Sequence, residues 1–306
     1  MNYSQYHLPA VFSPVLTPIA ADGGPDSKRL LKQCQWLDHN GVGQAIFGTN
    51  SEANSFSAVQ KISTLEKLIA GGLNPQHMMP GTGACSIDET VMMTKAAVDA
   101  GCSGTLMLTP FYYKDVSDDG LYGFYAKVIE KVADSRLKIY VYNIPPMTKI
   151  SLSVPLLQRL VKDFPNTVVG IKDSSGDWTY TESVIKALSS GGFQVYAGSE
   201  TFLMRTLRAG GVGCISATAN INPKAIADLA EQWKDANADE RQAELDVVRS
   251  TFAKYPMIPA MKYAVAHFSK EAQWAHVLPP LVDLKPEQQA ALLTDLEKIH
   301  FTMAGL

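Results

Sequence analysis

The stretch Val168-Val-Gly-Ile-Lys-Asp-Ser-Ser-Gly176 places a single lysine near the end of an otherwise apolar, β-branched run. Valine and isoleucine followed by Ser-Ser-Gly predict a short strand that is buried on both faces, as in a parallel sheet. Burial of an ammonium group is unfavourable unless the charge is paired or neutralised. A desolvated lysine with a lowered pKa is the amine that forms Schiff bases with carbonyl substrates. The segment alone leaves open that the Lys172 amine reaches solvent or pairs with Asp173.

The same alternation of a short strand and a following helix extends on both sides of this stretch. The predicted strands are 11–18, 44–48, 77–83, 104–110, 138–145, 168–174, 194–199 and 213–220. Eight strands alternating with eight helices predict an α/β protein with a (β/α)8 TIM barrel. An open doubly wound sheet is the alternative, but it more often carries a phosphate-binding fingerprint after its first strand.

The pattern changes to helices alone beyond residue 237, at about 238–254, 258–268 and 286–303. Proline suits the first turn of the last of these helices. We therefore predict a catalytic barrel over residues 1–236 and a C-terminal helical extension over residues 237–306. No low-complexity linker separates them, so we expect the extension to pack on the barrel.

Composition points to a small-molecule partner rather than to nucleic acid or a membrane. The 306 residues carry a formal net charge of -3, and the charged residues are evenly scattered. No apolar run approaches the roughly 20 residues of a membrane span, and residues 1–6 lack the basic and apolar regions of a signal peptide. We therefore expect a cytoplasmic protein.

Cysteine and histidine usage gives no indication of a metal or disulfide site. Cys34, Cys85, Cys102 and Cys214 are widely spaced, without a CxxC pair, and are predicted to be buried free thiols in a reducing compartment. The six histidines show no HxxxH or other ligand spacing. Neither a Walker loop nor a Gly-x-Ser-x-Gly elbow is present, so the sequence offers nothing for a kinase or a hydrolase.

Active sites of such barrels lie at the carboxyl ends of the strands, so polar residues at those ends are the candidates. The second strand ends in Gly48-Thr-Asn-Ser-Glu-Ala-Asn54, which offers backbone N–H groups and a hydroxyl to a carboxylate. Helix capping explains the same residues equally well. The fifth strand carries Tyr140 and Tyr142 on one face. Buried tyrosines serve packing, yet a phenol near a substrate oxygen can also move protons.

Four motifs in this order and spacing resemble the dihydrodipicolinate synthase / N-acetylneuraminate lyase family. They are Gly48-Thr-Asn-Ser-Glu52, Tyr142-Asn-Ile-Pro145, Gly170-Ile-Lys-Asp-Ser174 and Gly210-Gly-Val-Gly-Cys-Ile-Ser216. The resemblance covers nearly the whole chain, including the helical tail. It implies a class I aldolase that needs no cofactor and no metal. It also implies a homotetramer, a dimer of dimers, in which a barrel lysine forms an imine with pyruvate or another 2-oxo acid.

The resemblance assigns roles to residues at the strand ends. Lys172 would be the imine-forming nucleophile and Tyr142 the general acid/base. Thr49, with the backbone N–H of Asn50, would hold the pyruvyl carboxylate and join the proton relay. Tyr112 resembles the tyrosine that family members lend to the site of a neighbouring subunit.

Ile215 would line the pocket near the imine. Two residues depart from the family pattern in ways that bear on the substrate. Synthases of this family place an arginine for the second substrate's carboxylate at the position of Met147. A thioether cannot replace that guanidinium, a loss of about 2–3 kcal/mol for a charged partner. Asn50 stands in place of the second hydroxyl residue of the usual Thr-Thr pair. Both departures count against lysine biosynthesis as the main role, and Met147 predicts that the second half of the substrate is uncharged or hydroxylated.

Ser174, Glu200 and Thr201 fall where lyases of the family bind sugar hydroxyls, although all three could be loop or cap residues. The leading hypothesis is a Schiff-base lyase or aldolase acting on pyruvate or a 2-oxo acid. The alternatives within this chemistry are 4-hydroxy-tetrahydrodipicolinate synthase, which uses pyruvate and aspartate semialdehyde, and a 2-keto-3-deoxy sugar acid dehydratase. A 2-oxo acid sensor is the alternative that is not an enzyme.

Overall fold

A computed structural model describes residues 8–306, so the predictions that concern residues 1–7 lie outside it. The strands are β1 (Val11–Ser13), β2 (Gly43–Gln44), β3 (Thr105–Leu108), β4 (Ile139–Asn143), β5 (Val168–Asp173), β6 (Gln194–Ala197) and β7 (Gly213–Ile215). The helices are α1 (Ser27–His39), α2 (Ala58–Ala70), α3 (Ile87–Asp99), α4 (Asp118–Val132), α5 (Pro145–Thr148), α6 (Val154–Asp163), α7 (Trp178–Leu188), α8 (Leu203–Ala209), α9 (Pro223–Glu231), α10 (Ala238–Ala253), α11 (Met257–Ser269) and α12 (Pro286–Lys298).

The strands form one parallel seven-stranded sheet, in the order β2-β1-β7-β6-β5-β4-β3, that curls so that its two edges face each other. Residues 78–82 lie between those edges. On one side, Met79 N–H donates to Gln44 O at 3.0 Å. On the other, Leu106 N–H donates to Pro80 O at 2.8 Å. The segment thus connects β2 to β3.

The prediction of a regular strand over 77–83 is wrong, and the environments of Pro80 and Gly81 explain why. This segment pairs only through isolated parallel bridges, from Met78 to Gln44 and from Gly81 to Leu106. Pro80 has no N–H to donate to a ladder. Gly81 approaches the backbone so closely that an added Cβ would lie 2.1 Å from Phe47 O. The segment is therefore too irregular for a continuous strand.

Several helices begin after a residue whose side chain caps the first turn. In six helices the side chain of the residue before the first turn accepts a hydrogen bond from a backbone N–H of that turn. These capping residues are Asp26, Ser57, Ser86, Ser117, Ser153 and Asp177. Such caps satisfy backbone donors that have no partner within the helix.

The interior of the curled sheet is lined by large side chains. Tyr140, Tyr142 and Tyr196 belong to one buried cluster that also includes Ile215. Gly170 makes room for this cluster, because an added Cβ there would lie 2.5 Å from the Tyr140 ring. Alternation along β5 then directs Ile171 into the layer beneath the helices and Lys172 towards the interior.

The C-terminal helices share a hydrophobic core with the first β/α unit. One buried cluster includes Val11, Leu30 and Val265. The Trp36 indole N–H donates to the Ala304 carbonyl at 3.0 Å across the same interface. No helix within the described residues is both long and apolar enough to cross a bilayer.

The cysteines do not share one environment. All four are free thiols; Cys34 and Cys214 are buried, Cys102 is partly buried and Cys85 is exposed. The prediction of four buried thiols is therefore wrong for Cys85, which lies in a surface loop just before the Ser86 cap. Within residues 8–306 no three His, Cys, Asp or Glu side chains come close enough together to hold a metal ion.

Candidate active site

A cavity of about 300 Å³ opens where the strands end, and residues from several strand-end loops line it. Lys172 and Ser174 come from the end of β5, and Tyr142 from β4. Thr49 and Asn50 follow β2 and complete this wall. The fold therefore brings most of the sequence-predicted site residues into one cavity.

Lys172 is the buried amine of this cavity. It is 2% exposed, and its Nζ lies 4.3 Å from the centroid of the Tyr142 ring. The two residues are direct neighbours in the register of β4 and β5. The ring face attracts a cation, and both groups meet in a space that a carbonyl substrate can enter.

Asp173 does not serve as the partner of this amine. Its carboxylate accepts hydrogen bonds from the Asn143 amide at 2.8 Å and from the Ser175 hydroxyl at 2.9 Å. The Thr181 hydroxyl donates a third at 2.5 Å. These donors hold the strand end together and leave the Lys172 amine directed at the cavity.

Thr49 links the loop after β2 to the Tyr142 phenol. Its Oγ1 lies 3.3 Å from the Tyr142 Oη, within reach of a hydrogen bond. The hydroxyl lies in a single turn, Thr49–Ser51, that is closed by a hydrogen bond from Gly48 N–H to Ser51 Oγ at 3.2 Å. Ser51 therefore caps the turn, while the Thr49 hydroxyl faces the cavity.

A buried ion pair holds the far end of the same loop. Glu52 has φ 57°, a left-handed conformation that is unusual for a residue with a side chain. Its carboxylate accepts from Lys262 Nζ at 2.5 Å and from Leu278 N–H at 2.7 Å. The C-terminal helices thus contact the loop that begins with Thr49.

Four sequence-predicted residues do not line the cavity. Ile215 is fully buried in the interior cluster beneath it, and the Thr201 hydroxyl lies 2.9 Å from that of Ser199. Tyr112 is 73% exposed outside the cavity, with its ring edge against that of Tyr113.

Glu200, the fourth of these, is buried behind the cavity wall. Its two oxygens accept hydrogen bonds from the Ser216 and Thr218 hydroxyls. Met147, in contrast, does line the cavity and is 65% exposed. No guanidinium therefore occupies the position that Met147 takes.

Arg249 is a cavity residue that sequence reasoning missed. It lies on α10, and its Nη1 is 3.5 Å from Glu200 Oε2. Leu245 and Phe252 are buried on the same helix, four residues before and three residues after it. The sequence could have indicated it, because an arginine on the apolar face of a helix is unusual. Phe202 and Met257 add apolar walls nearby.

Comparisons with known proteins agree along nearly the full length. A model of the Dihydrodipicolinate synthetase family matches residues 7–299. An uncharacterized DapA-like lyase of Chloroflexus aurantiacus is 31% identical, over 96% of this chain and 97% of its own. A 4-hydroxy-tetrahydrodipicolinate synthase of Methanothrix thermoacetophila is 28% identical, over 94% of this chain and 96% of its own.

Two solved structures have the same fold. Dihydrodipicolinate synthase from Agrobacterium tumefaciens superposes with a TM-score of 0.86 at 31% identity, over 95% of this chain and 99% of that one. YagE, a prophage protein of the dihydrodipicolinic acid synthase family from E. coli K12, was solved in complex with pyruvate. It gives a TM-score of 0.87 at 25% identity, over 96% of this chain and 99% of that one.

Proposed function

The chain belongs to the dihydrodipicolinate synthetase family, and we propose that Lys172 is the residue that forms an imine with pyruvate or another 2-oxo acid. Pyruvate-dependent lyase or aldolase chemistry is the function that family membership supports. The observation that carries the residue assignment is the buried Lys172 amine, 4.3 Å from the Tyr142 ring centroid at the cavity wall.

The proposed reaction starts when the Lys172 amine adds to the 2-oxo carbon and the oxygen leaves as water. The Thr49 hydroxyl and the Asn50 N–H hold the adjacent carboxylate. In the cleavage direction, Tyr142 takes the proton of the substrate hydroxyl while the carbon–carbon bond breaks. The bonding electrons move into the protonated imine and give an enamine, which is then protonated and hydrolysed. The 3.3 Å contact from Thr49 to Tyr142 provides the path for that proton.

Borohydride reduction in the presence of pyruvate tests the imine directly. We expect one covalent adduct, on the peptide that contains Lys172, by mass spectrometry. Lys172→Met should abolish it. Lys186→Met removes an exposed lysine of α7 that pairs with Glu182 and should leave it intact. An adduct on another lysine, or none at all, would show that the assignment is wrong.

The chemical nature of the second half of the substrate distinguishes the alternative functions within this chemistry. Curated relatives include 4-hydroxy-tetrahydrodipicolinate synthases, yet the exposed Met147 offers no guanidinium at its position in the cavity. Met147 taken alone predicts poor turnover of pyruvate with aspartate semialdehyde. Turnover at the level of a true synthase would overturn the argument from Met147.

Tyr112 is proposed to complete the site of a neighbouring subunit within a homotetramer. The exposed aromatic pair that it forms with Tyr113, with ring centroids 5.3 Å apart, supports an interface there. Aromatic side chains are enriched in such contacts. A fully active monomer in solution would refute this role.

We also propose that the curled sheet is a (β/α)8 barrel whose catalytic part spans residues 1–236. Residues 237–306 would form the helical extension packed on it. The hydrogen bonds of residues 78–82 to both sheet edges support closure. The shared buried cluster supports the packing of the extension.

A further inference from the structure

The guanidinium of Arg249 is only lightly engaged by the protein. Its side chain is 25% exposed, and its recorded partner within residues 8–306 is Glu200, through one nitrogen at 3.5 Å. That distance is at the limit of a hydrogen bond, and a guanidinium carries five N–H donors. Most of its donors therefore remain for a ligand in the cavity.

Glu200 does not require Arg249 for its hydrogen bonds. The Ser216 and Thr218 hydroxyls each donate to one of its oxygens. The carboxylate is thus fixed in the wall, where it orients the guanidinium without covering it. The other carboxylate of the cavity wall, Asp173, is held by Asn143 and Ser175. Glu200 thus remains the counter-charge of Arg249, through a single contact at 3.5 Å.

The two cations of the cavity have separate positions. In the proposed reaction the Lys172 amine is consumed by the imine, and the pyruvyl carboxylate lies at Thr49. Thr49 follows β2, while Glu200, the partner of Arg249, follows β6; β1 and β7 separate these strands in the sheet. Arg249 therefore offers guanidinium N–H donors at a different wall from the loop of residues 49–52.

We propose that Arg249 binds a carboxylate on the second half of the substrate, so that the full substrate is a dicarboxylic 2-oxo acid. This inference rests on the proposed imine function. The prediction of an uncharged second half followed from Met147. Arg249 supplies, from a C-terminal helix, the bidentate donor that Met147 cannot provide.

Matched pairs of 2-oxo acids test this without knowledge of the natural substrate. We would compare 2-oxoglutarate with 2-oxopentanoate, 2-oxoadipate with 2-oxohexanoate, and 2-oxopimelate with 2-oxoheptanoate. Each pair has one chain length and differs by a distal carboxylate in place of a methyl group. The readout is the concentration that gives half-maximal borohydride trapping on Lys172, which requires no turnover.

We expect the distal carboxylate to lower that concentration by about 10- to 100-fold at one chain length or more. Arg249→Gln should abolish this advantage, and Arg249→Lys should keep part of it because the charge remains. Arg208→Gln is the control: it removes an exposed arginine of α8 that pairs with Asp239 and should keep the full advantage.

Each other outcome separates the two proposals. Trapping of pyruvate with no advantage for any dicarboxylic acid would refute the role of Arg249 and leave the imine standing. An advantage that survives in Arg249→Gln would do the same. Tighter trapping of 2-keto-3-deoxygluconate than of 2-oxoadipate would indicate recognition of hydroxyls and also overturn it. Failure to trap pyruvate would instead remove the imine function. If Arg249→Gln does not fold, Arg249→Lys tests the assignment, and a wild type without any advantage for dicarboxylic acids still refutes it.

Discussion

Replacing Lys262 by methionine is expected to lower the free energy of unfolding by about 3–5 kcal/mol. Both side chains of the Lys262–Glu52 pair are 0% exposed, so removal of the ammonium leaves a carboxylate buried without its counter-charge. The Leu278 N–H, at 2.7 Å, would be its remaining recorded donor. Burial lowers the pKa of Lys262 and the charge of Glu52 opposes this, which indicates that the amine depends on its partner.

The expected loss is a large fraction of the stability of a typical domain, which is about 5–15 kcal/mol. Equilibrium urea denaturation of the wild type and the variant measures it. The double variant Glu52→Gln with Lys262→Met should regain most of the loss. Neither side chain at this position then carries a charge, and the glutamine oxygen still accepts from the Leu278 N–H. Lys224→Met is the control, since it removes an exposed ammonium that pairs with Asp228. It should change stability by less than about 0.5 kcal/mol.

Two results would contradict this reasoning. If Lys262→Met were no less stable than Lys224→Met, the buried pair would not contribute to stability. If the double variant were as unstable as Lys262→Met, the loss would come from packing of the lysine chain and not from an unpaired charge. The pyruvate concentration for half-maximal trapping should also rise in Lys262→Met, because Glu52 ends the turn that begins at Thr49.

Three further outcomes are expected. Tyr142→Phe should lower turnover about 10²- to 10⁴-fold in steady-state kinetics, and unchanged turnover would remove Tyr142 from the proton relay. Hydrogen bonds from Lys254, Lys298 and Tyr255 lower the pKa of Asp295 from 3.8 to about 2, so its contribution to stability is present above 3.8 and is lost as the pH falls towards 2. Asp295→Asn should therefore flatten the fall in stability below pH 4, and an unchanged slope in urea titrations would contradict this. A chromogenic thiol reagent should label one cysteine rapidly in the native protein, the exposed Cys85. Cys214 should react slowly because it is buried and burial raises the pKa of its thiol. Rapid labelling of a second thiol would contradict this.

Local sequence was sufficient to predict the strands that carry the site residues. The β-branched run before Lys172 predicted a buried strand, and period two placed Tyr140 and Tyr142 on one face of their strand. The strand over 77–83 failed because its irregularity depends on an approach of Gly81 to Phe47 from another part of the chain. Hydrophobic patterns carry no information on such a contact.

Contacts distant in sequence explain what the site prediction lacked. Glu200 follows β6 as a substrate-binding residue would, yet Ser216 and Thr218 draw its carboxylate into the wall. Arg249 reaches the cavity from α10. Candidate residues were taken from the carboxyl ends of strands, so the C-terminal helices were not included. The direction of a side chain beyond a strand end depends on partners that only the folded chain brings near.

The separation of Glu52 and Lys262 along the chain also orders events during synthesis. The two residues are 210 positions apart. At about 5–20 residues per second, the ribosome needs about 10–40 s to pass from one to the other. Throughout that interval the loop after β2 exists without its ion pair, and the strands that carry Tyr142 and Lys172 are made before the interval ends. The loop after β2 is therefore the last part of the cavity wall to gain its contacts, and any chain that stops before residue 262 lacks that support.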